Sequence, residues 1–129
     1  MSVAGVLKPL RRPRLWLGLW LLALAVVCVA SLVPPPPVEL PRHGDKLEHL
    51  LAYAALAAAA VQLFRPGRAL WTAGIGLVLM GAALELAQGA LTATRLADPA
   101  DALANTAGVA LGLLLQRTPL RDLLLRHGG

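Results

Sequence analysis

Three short stretches of this chain gather side chains that could move a proton or hold a polar ligand. In GDKLEHLLAY, Asp45, Lys46, His49 and Tyr53 fall within an arc of about 100° when wound as a helix. Glu48 points away from that arc and reads as an interfacial charge. In LELAQ, Glu85 and Gln88 are three apart and share a face. In DPADALANTAGVALG, Asp98, Asp101 and Asn105 follow at i, i+3 and i+7, and Gly108 and Gly112 continue the same arc. An imidazole beside carboxylates suits acid–base work, with His49 as base and Glu85 or Asp101 as the acid that orients it. Lys46 and Arg95 supply charge for a phosphate or carboxylate. Tyr53, Gln88 and Asn105 supply hydrogen bonds to the rest of a substrate. Ser2 and Ser31 lie outside these stretches, so any attack would come from water or a substrate hydroxyl.

Each set also has a structural use. Asp45 and Asp98 suit helix N-caps, and Pro99 suits the first turn that follows. The Gly108-xxx-Gly112 pair lets a neighbouring backbone approach closely. Glu85 sits inside an apolar block, where a carboxylate needs a partner whatever its role.

The elements that must position these residues are hydrophobic blocks. Of 129 residues, 57% are hydrophobic and 15% charged, against nearly half and a quarter in an ordinary soluble domain. The excess lies in four blocks, at 15–33, about 47–64, 69–91 and about 99–116. The connections PPPPVELPRHGD, RPGR and TATRLAD are turn- or proline-rich, and none holds a domain of its own. The expected fold is therefore an all-α, integral membrane four-helix bundle forming one domain over residues 1–129. A cleaved signal peptide competes for the first block, with KPLRRPR as its n-region. The apolar run is long for that, and three further blocks follow, so a retained helix is expected.

The net charge of +5 does not imply nucleic acid, because the basic residues sit at block ends and aromatics are scarce. With a cytoplasmic N-terminus, Lys8, Arg11, Arg12, Arg14, Arg65, Arg68, Arg117, Arg121 and Arg126 lie inside. Only Arg42, Lys46 and Arg95 then lie outside, a bias that predicts both termini in the cytoplasm. Under that topology all three polar sets meet on the outer side, while the inner halves are almost purely Ala, Leu, Val and Gly. The tail LRDLLLRHGG reads as a short amphipathic segment at the inner surface. Cys28 is the only cysteine, which leaves no disulfide within one chain.

At these residues the chain resembles the VanZ-like family of small bacterial membrane proteins, named for a teicoplanin-resistance accessory protein. The matching elements are Asp45-Lys46 with His49 and Tyr53, then Glu85-x-x-Gln88, then Arg95 followed by Asp101, Asn105, Gly108 and Gly112. They cover roughly residues 44–112, and Leu50 stands where the family often has an aromatic residue. The resemblance implies a four-helix protein of the bacterial cytoplasmic (inner) membrane, with a link to glycopeptide tolerance in some members. It supplies no reaction.

Three functions follow as expectations. The first is binding or modifying a lipid-linked or amphiphilic envelope molecule at the outer leaflet. The second is a buried polar network that only fixes the helices, with activity in a partner protein. The third is a divalent metal held by His49, Glu85, Asp98 and Asp101, acceptable ligands for zinc or manganese but without an H-x-x-x-H pair to support it. No cofactor is predicted, and the lipid bilayer is the one certain surroundings of such a fold. Nothing in the residues names a protein partner, a substrate or an oligomeric state.

Overall fold

The computed structural model describes residues 3–33, 44–91 and 98–129. Among these residues the chain is all-helical. A short α1 (Val3–Val6) is followed by four long helices: α2 (Pro13–Leu32), α3 (Gly44–Leu63), α4 (Arg68–Leu91) and α5 (Pro99–Leu113). Two 3₁₀ turns (Leu114–Arg117 and Pro119–Asp122) and α6 (Leu123–Arg126) complete it. Among the described residues, the one β-type pairing is an isolated antiparallel bridge between Leu7 and Phe64.

Helices α2 and α4 are long and apolar enough to cross a membrane, judged by length and composition. The other two long helices fail that test for different reasons. α3 carries Asp45, Lys46, Glu48 and His49 in its opening turns. α5 has 15 residues, about 22 Å at 1.5 Å per residue, short of the ~30 Å of a hydrocarbon core. The helix expected to start near residue 47 begins at Gly44, so its charges occupy the first turn rather than the preceding loop. The last block tightens from α to 3₁₀ at Leu114, ahead of Pro119.

The closest helix pair is α3 with α5, and they run parallel. Glycine makes this contact: a β-carbon on Gly108 would collide with the carbonyl oxygen of Leu50. One on Gly112 would collide with the carbonyl oxygen of Ala54 and lie 2.6 Å from Ala57 Cβ. α2 packs antiparallel to α3, with Trp20 Nε1 donating to Leu56 O at 3.0 Å. The Trp20 ring also meets Phe64 edge to face, with centroids 5.1 Å apart.

The two ends of the bundle differ in character. At one end, the N-terminal segment crosses beneath α3, where Lys8 N donates to Leu63 O (2.8 Å) and Arg65 N to Val6 O (2.9 Å). The buried Lys8 ammonium donates to Arg121 O (2.6 Å) and pairs with Asp122 Oδ1 (2.9 Å). That hydrogen bond from Lys8 holds the Asp122 carboxyl below its ordinary range. Gln62 ties the tail to α3: its amide donates to Leu120 O (2.8 Å) and accepts from Leu124 N (2.9 Å). Most of the arginines belong to this end, at the starts of α2 and α4 and in the segments after α5. The opposite end carries the polar side chains described below.

The outer surfaces of the long helices are apolar. Leu22 is 60% exposed, Leu79 64% and Leu103 71%, on three different helices. The apolar core is instead small, built around Leu7, Tyr53, Val61, Leu70, Leu77 and Val109.

The glycine contact yields a stability prediction. Gly108→Ala should destabilise the protein by ~1–3 kcal/mol, the usual range for overpacking a tight contact. Gly76→Ala, which meets nothing within 4 Å, should be neutral or slightly stabilising through helix propensity. Thermal unfolding of both variants in detergent checks the contrast.

Candidate functional site

The parallel α3–α5 contact sets one face of α3 against one face of α5 at the end away from the arginines. Lys46 Nζ lies 3.1 Å from Asp98 Oδ2 and 3.5 Å from Asp101 Oδ1. One turn further in, His49 Nδ1 lies 2.9 Å from Asn105 Oδ1. Asp98 caps α5: its Oδ1 accepts from Ala100 N at 2.9 Å, and Pro99 takes the first helical position. Burial rises along this face, and Asp101 and Asn105 are 8% and 2% exposed.

α4 adds the third wall. Glu85 and Gln88 are buried, at 5% and 3% exposure. Glu85 Oε1 accepts from Asp98 N at 2.5 Å. Its other oxygen, Oε2, is buried with no hydrogen-bond partner. One turn earlier, Gly81 makes room for the site: a β-carbon there would lie 3.1 Å from Asn105 Cβ and 3.2 Å from Tyr53 Cε1. Tyr53 and Asn105 thus both lie against α4 at Gly81. α2 closes the arrangement, with Ser31 O accepting from Gln88 Nε2 at 2.8 Å. The Ser31 hydroxyl itself donates to Val27 O at 2.7 Å.

Between α2, α3 and α4 a crevice of about 250 Å³ remains, walled by Ser31, Glu48, His49, Tyr53 and Gln88 with Val27 and Ala30. His49 belongs both to this wall and to the paired network behind it. Because the Asn105 oxygen can only accept, Nδ1 carries the proton in the neutral ring and Nε2 keeps its lone pair. Asp101 Oδ2 lies 4.0 Å from Nε2, too far for a hydrogen bond.

The sequence-derived candidates fall into distinct places. Lys46, Glu85, Asp98 and Asp101 form one connected set, and the His49–Asn105 pair lies beside it with His49 Nε2 4.0 Å from Asp101 Oδ2. Tyr53 and Gln88 stand at the crevice, with Gln88 tied to Ser31. Lys46, expected to meet an anionic ligand, pairs with Asp98 and Asp101 instead. Glu48, expected to be interfacial, is exposed and forms part of the crevice wall. Gly108 and Gly112 lie further along the α3–α5 contact. The Asp45 side chain and all of Arg95 lie outside the described residues. Two contributors escaped sequence reasoning, Ser31 and Gly81. Gly81 was findable, since 81, 85 and 88 share a helical face. Ser31 acts through its carbonyl and carries no such signal.

Among the described residues, no group of three or more His, Cys, Asp or Glu is placed to hold a metal ion. No family model, curated protein or solved structure matches the chain. The VanZ-like resemblance accordingly rests on its motif residues alone.

Asp98 gives the site a pH signature. The Ala100 N–H and then the Lys46 ammonium hold its carboxyl below the usual 3.8. A depressed folded-state value stabilises the fold above the unfolded pKa, and that contribution is lost as pH falls through the folded one. Asp98→Asn should therefore lower the unfolding temperature at neutral pH and shrink its decline below about pH 4. Thermal melts of both proteins between neutral and acid pH measure this.

Proposed function

We propose that the protein is a VanZ-like, multi-pass protein of the bacterial cytoplasmic membrane that binds the polar head of an amphiphilic envelope molecule at its outer face. The membrane reading is supported by the exposed apolar flanks of α2, α4 and α5, which water would penalise and lipid would not. It is supported too by the charge distribution, with arginines at one end and the carboxylate-rich network at the other. Under the positive-inside rule, both termini face the cytoplasm and the crevice opens outward. α3 and α5 then complete a four-helix bundle, their polar first turns lying at the outer surface.

One observation carries the functional reading: Ser31, Glu48, His49, Tyr53 and Gln88 line the crevice, and Glu85, one turn from Gln88 on α4, keeps a buried oxygen without a hydrogen-bond partner. Intramembrane acids are costly, and a network serving only to clamp helices gains by pairing every oxygen. Among the described residues the crevice wall carries one carboxylate, Glu48, and no lysine or arginine, and the nearby Lys46 ammonium is occupied by Asp98 and Asp101. Hydroxyl and amine groups therefore suit the crevice better than phosphate does. His49 would exchange a proton with such a group, and Tyr53 and Gln88 would orient it.

A structural reading has its own support in the pairing of Lys46, His49 and Gln88 within the protein. His49→Gln and Glu85→Gln separate the two. The proposal expects both variants to reach wild-type abundance in the membrane while binding of teicoplanin, a lipid-tailed glycopeptide, weakens by about tenfold or more. It also expects them to lose any teicoplanin tolerance the wild type confers on a sensitive host. Variants that fail to accumulate would favour the structural network. Unchanged binding in folded variants would remove the crevice from the function.

A further inference from the structure

We propose that the groove between α4 and α5 at the arginine-rich end seats one acyl chain of an anionic inner-leaflet phospholipid, with its phosphate on Arg117. This inference rests on the membrane reading above and is independent of what occupies the outer crevice.

The groove has a volume of about 420 Å³, walled by Trp71, Ile75 and Leu79 on α4, by Thr106 and Ala110 on α5, and by Leu114 just past its end. Its floor is closed at Gly74, where an added β-carbon would lie 2.9 Å from Leu113 Cδ1. The Thr106 hydroxyl donates to Ala102 O at 2.9 Å, so it needs nothing from an occupant. Each wall covers eight residue steps, about 12 Å of helix. The hydrocarbon of one leaflet is ~15 Å deep, half of the core. The groove therefore matches one acyl chain of a single leaflet, and its position at the arginine end places it in the inner one.

The head-group end is basic. Arg117 borders both this groove and a neighbouring basin of about 480 Å³, which Arg121 and Arg126 also line. The acid in that basin, Asp122, is paired with Lys8 at 2.9 Å. Arg126 donates to Pro119 O. The Arg117 side chain makes no hydrogen bond or ion pair among the described residues, and the residue is exposed where the groove meets the basin. Trp71, exposed at the same end, suits the membrane–water interface. Tail and head sites thus meet at one arginine, the arrangement that a phosphodiester with an acyl chain requires.

The test titrates the purified full chain with phosphatidylglycerol or phosphatidylcholine, counting retained lipid by native mass spectrometry and following thermal unfolding. One phosphatidylglycerol should be retained per chain, in preference to phosphatidylcholine. Arg117→Gln should weaken phosphatidylglycerol by about fivefold and leave phosphatidylcholine unchanged. Ala110→Leu, which narrows the groove, should weaken both. Equal binding of the two lipids by wild type, or unaltered selectivity in Arg117→Gln, overturns the proposal. So does a dimer that Ala110→Leu dissociates, because the groove would then seat a second copy. Carbonate extraction of membranes separates the two layers of inference. A chain that stays in the membrane without lipid selectivity overturns only this site, whereas one that is extracted overturns the membrane reading as well.

Discussion

The site depends on how closely α3 and α5 approach. Two glycines on α5 let its backbone lie against the carbonyl oxygens of Leu50 and Ala54. Side chains at the outer end of the same contact then have to meet, and they are Lys46 with Asp98 and Asp101, and His49 with Asn105. A wider separation would leave these pairs apart and the buried acids without partners, which is costly. The glycines and the charges therefore work as one device. Apolar contact sets the register, and the register satisfies the polar groups.

Much of this was legible because helices report their faces through spacing. The i, i+3, i+7 run of Asp98, Asp101 and Asn105, continued by Gly108 and Gly112, marks a face with polar residues at one end and small residues further along. The structure places that face against α3. What spacing could not show was how the charges would be shared. Lys46 looked available to an anionic ligand, but a neighbouring helix brings two carboxylates within 3.5 Å of it. Pairing between helices depends on rotation about each axis, which no single segment encodes. The part played by α2 was hidden for another reason. It acts through the Ser31 carbonyl, and a backbone acceptor is common to every residue. The closing of the arginine end, where residues 6–11 meet α3 and the tail, is likewise mostly backbone hydrogen bonding.

The two ends solve the burial of charge differently. At the arginine end, Lys8 is buried but complete, with a carboxylate and a carbonyl as partners. Such a site holds segments together and offers little to a ligand. At the other end the partners are shared unevenly. Asp98 is used three ways, as cap, as ion-pair partner and through its backbone N–H, while one oxygen of Glu85 is left over. Evenly paired charges stabilise, and an uneven set leaves hydrogen-bonding capacity for something else.

His49 is where that capacity can be reached. Asn105 fixes its tautomer from behind, and Asp101 Oδ2 stands 4.0 Å from Nε2, beyond hydrogen-bond reach. On its other side the ring borders the crevice shared with Tyr53 and Gln88. If pairing were its only task, a glutamine amide could make the bond to Asn105 equally well, and nothing would require a titratable ring beside a cavity. An imidazole with one nitrogen tied and the other held near a carboxylate is suited instead to a bound group that gives or takes a proton. Under the proposed function, His49 Nε2 is the atom that would exchange a proton with a bound group, with Asn105 and Asp101 as the neighbours of the ring.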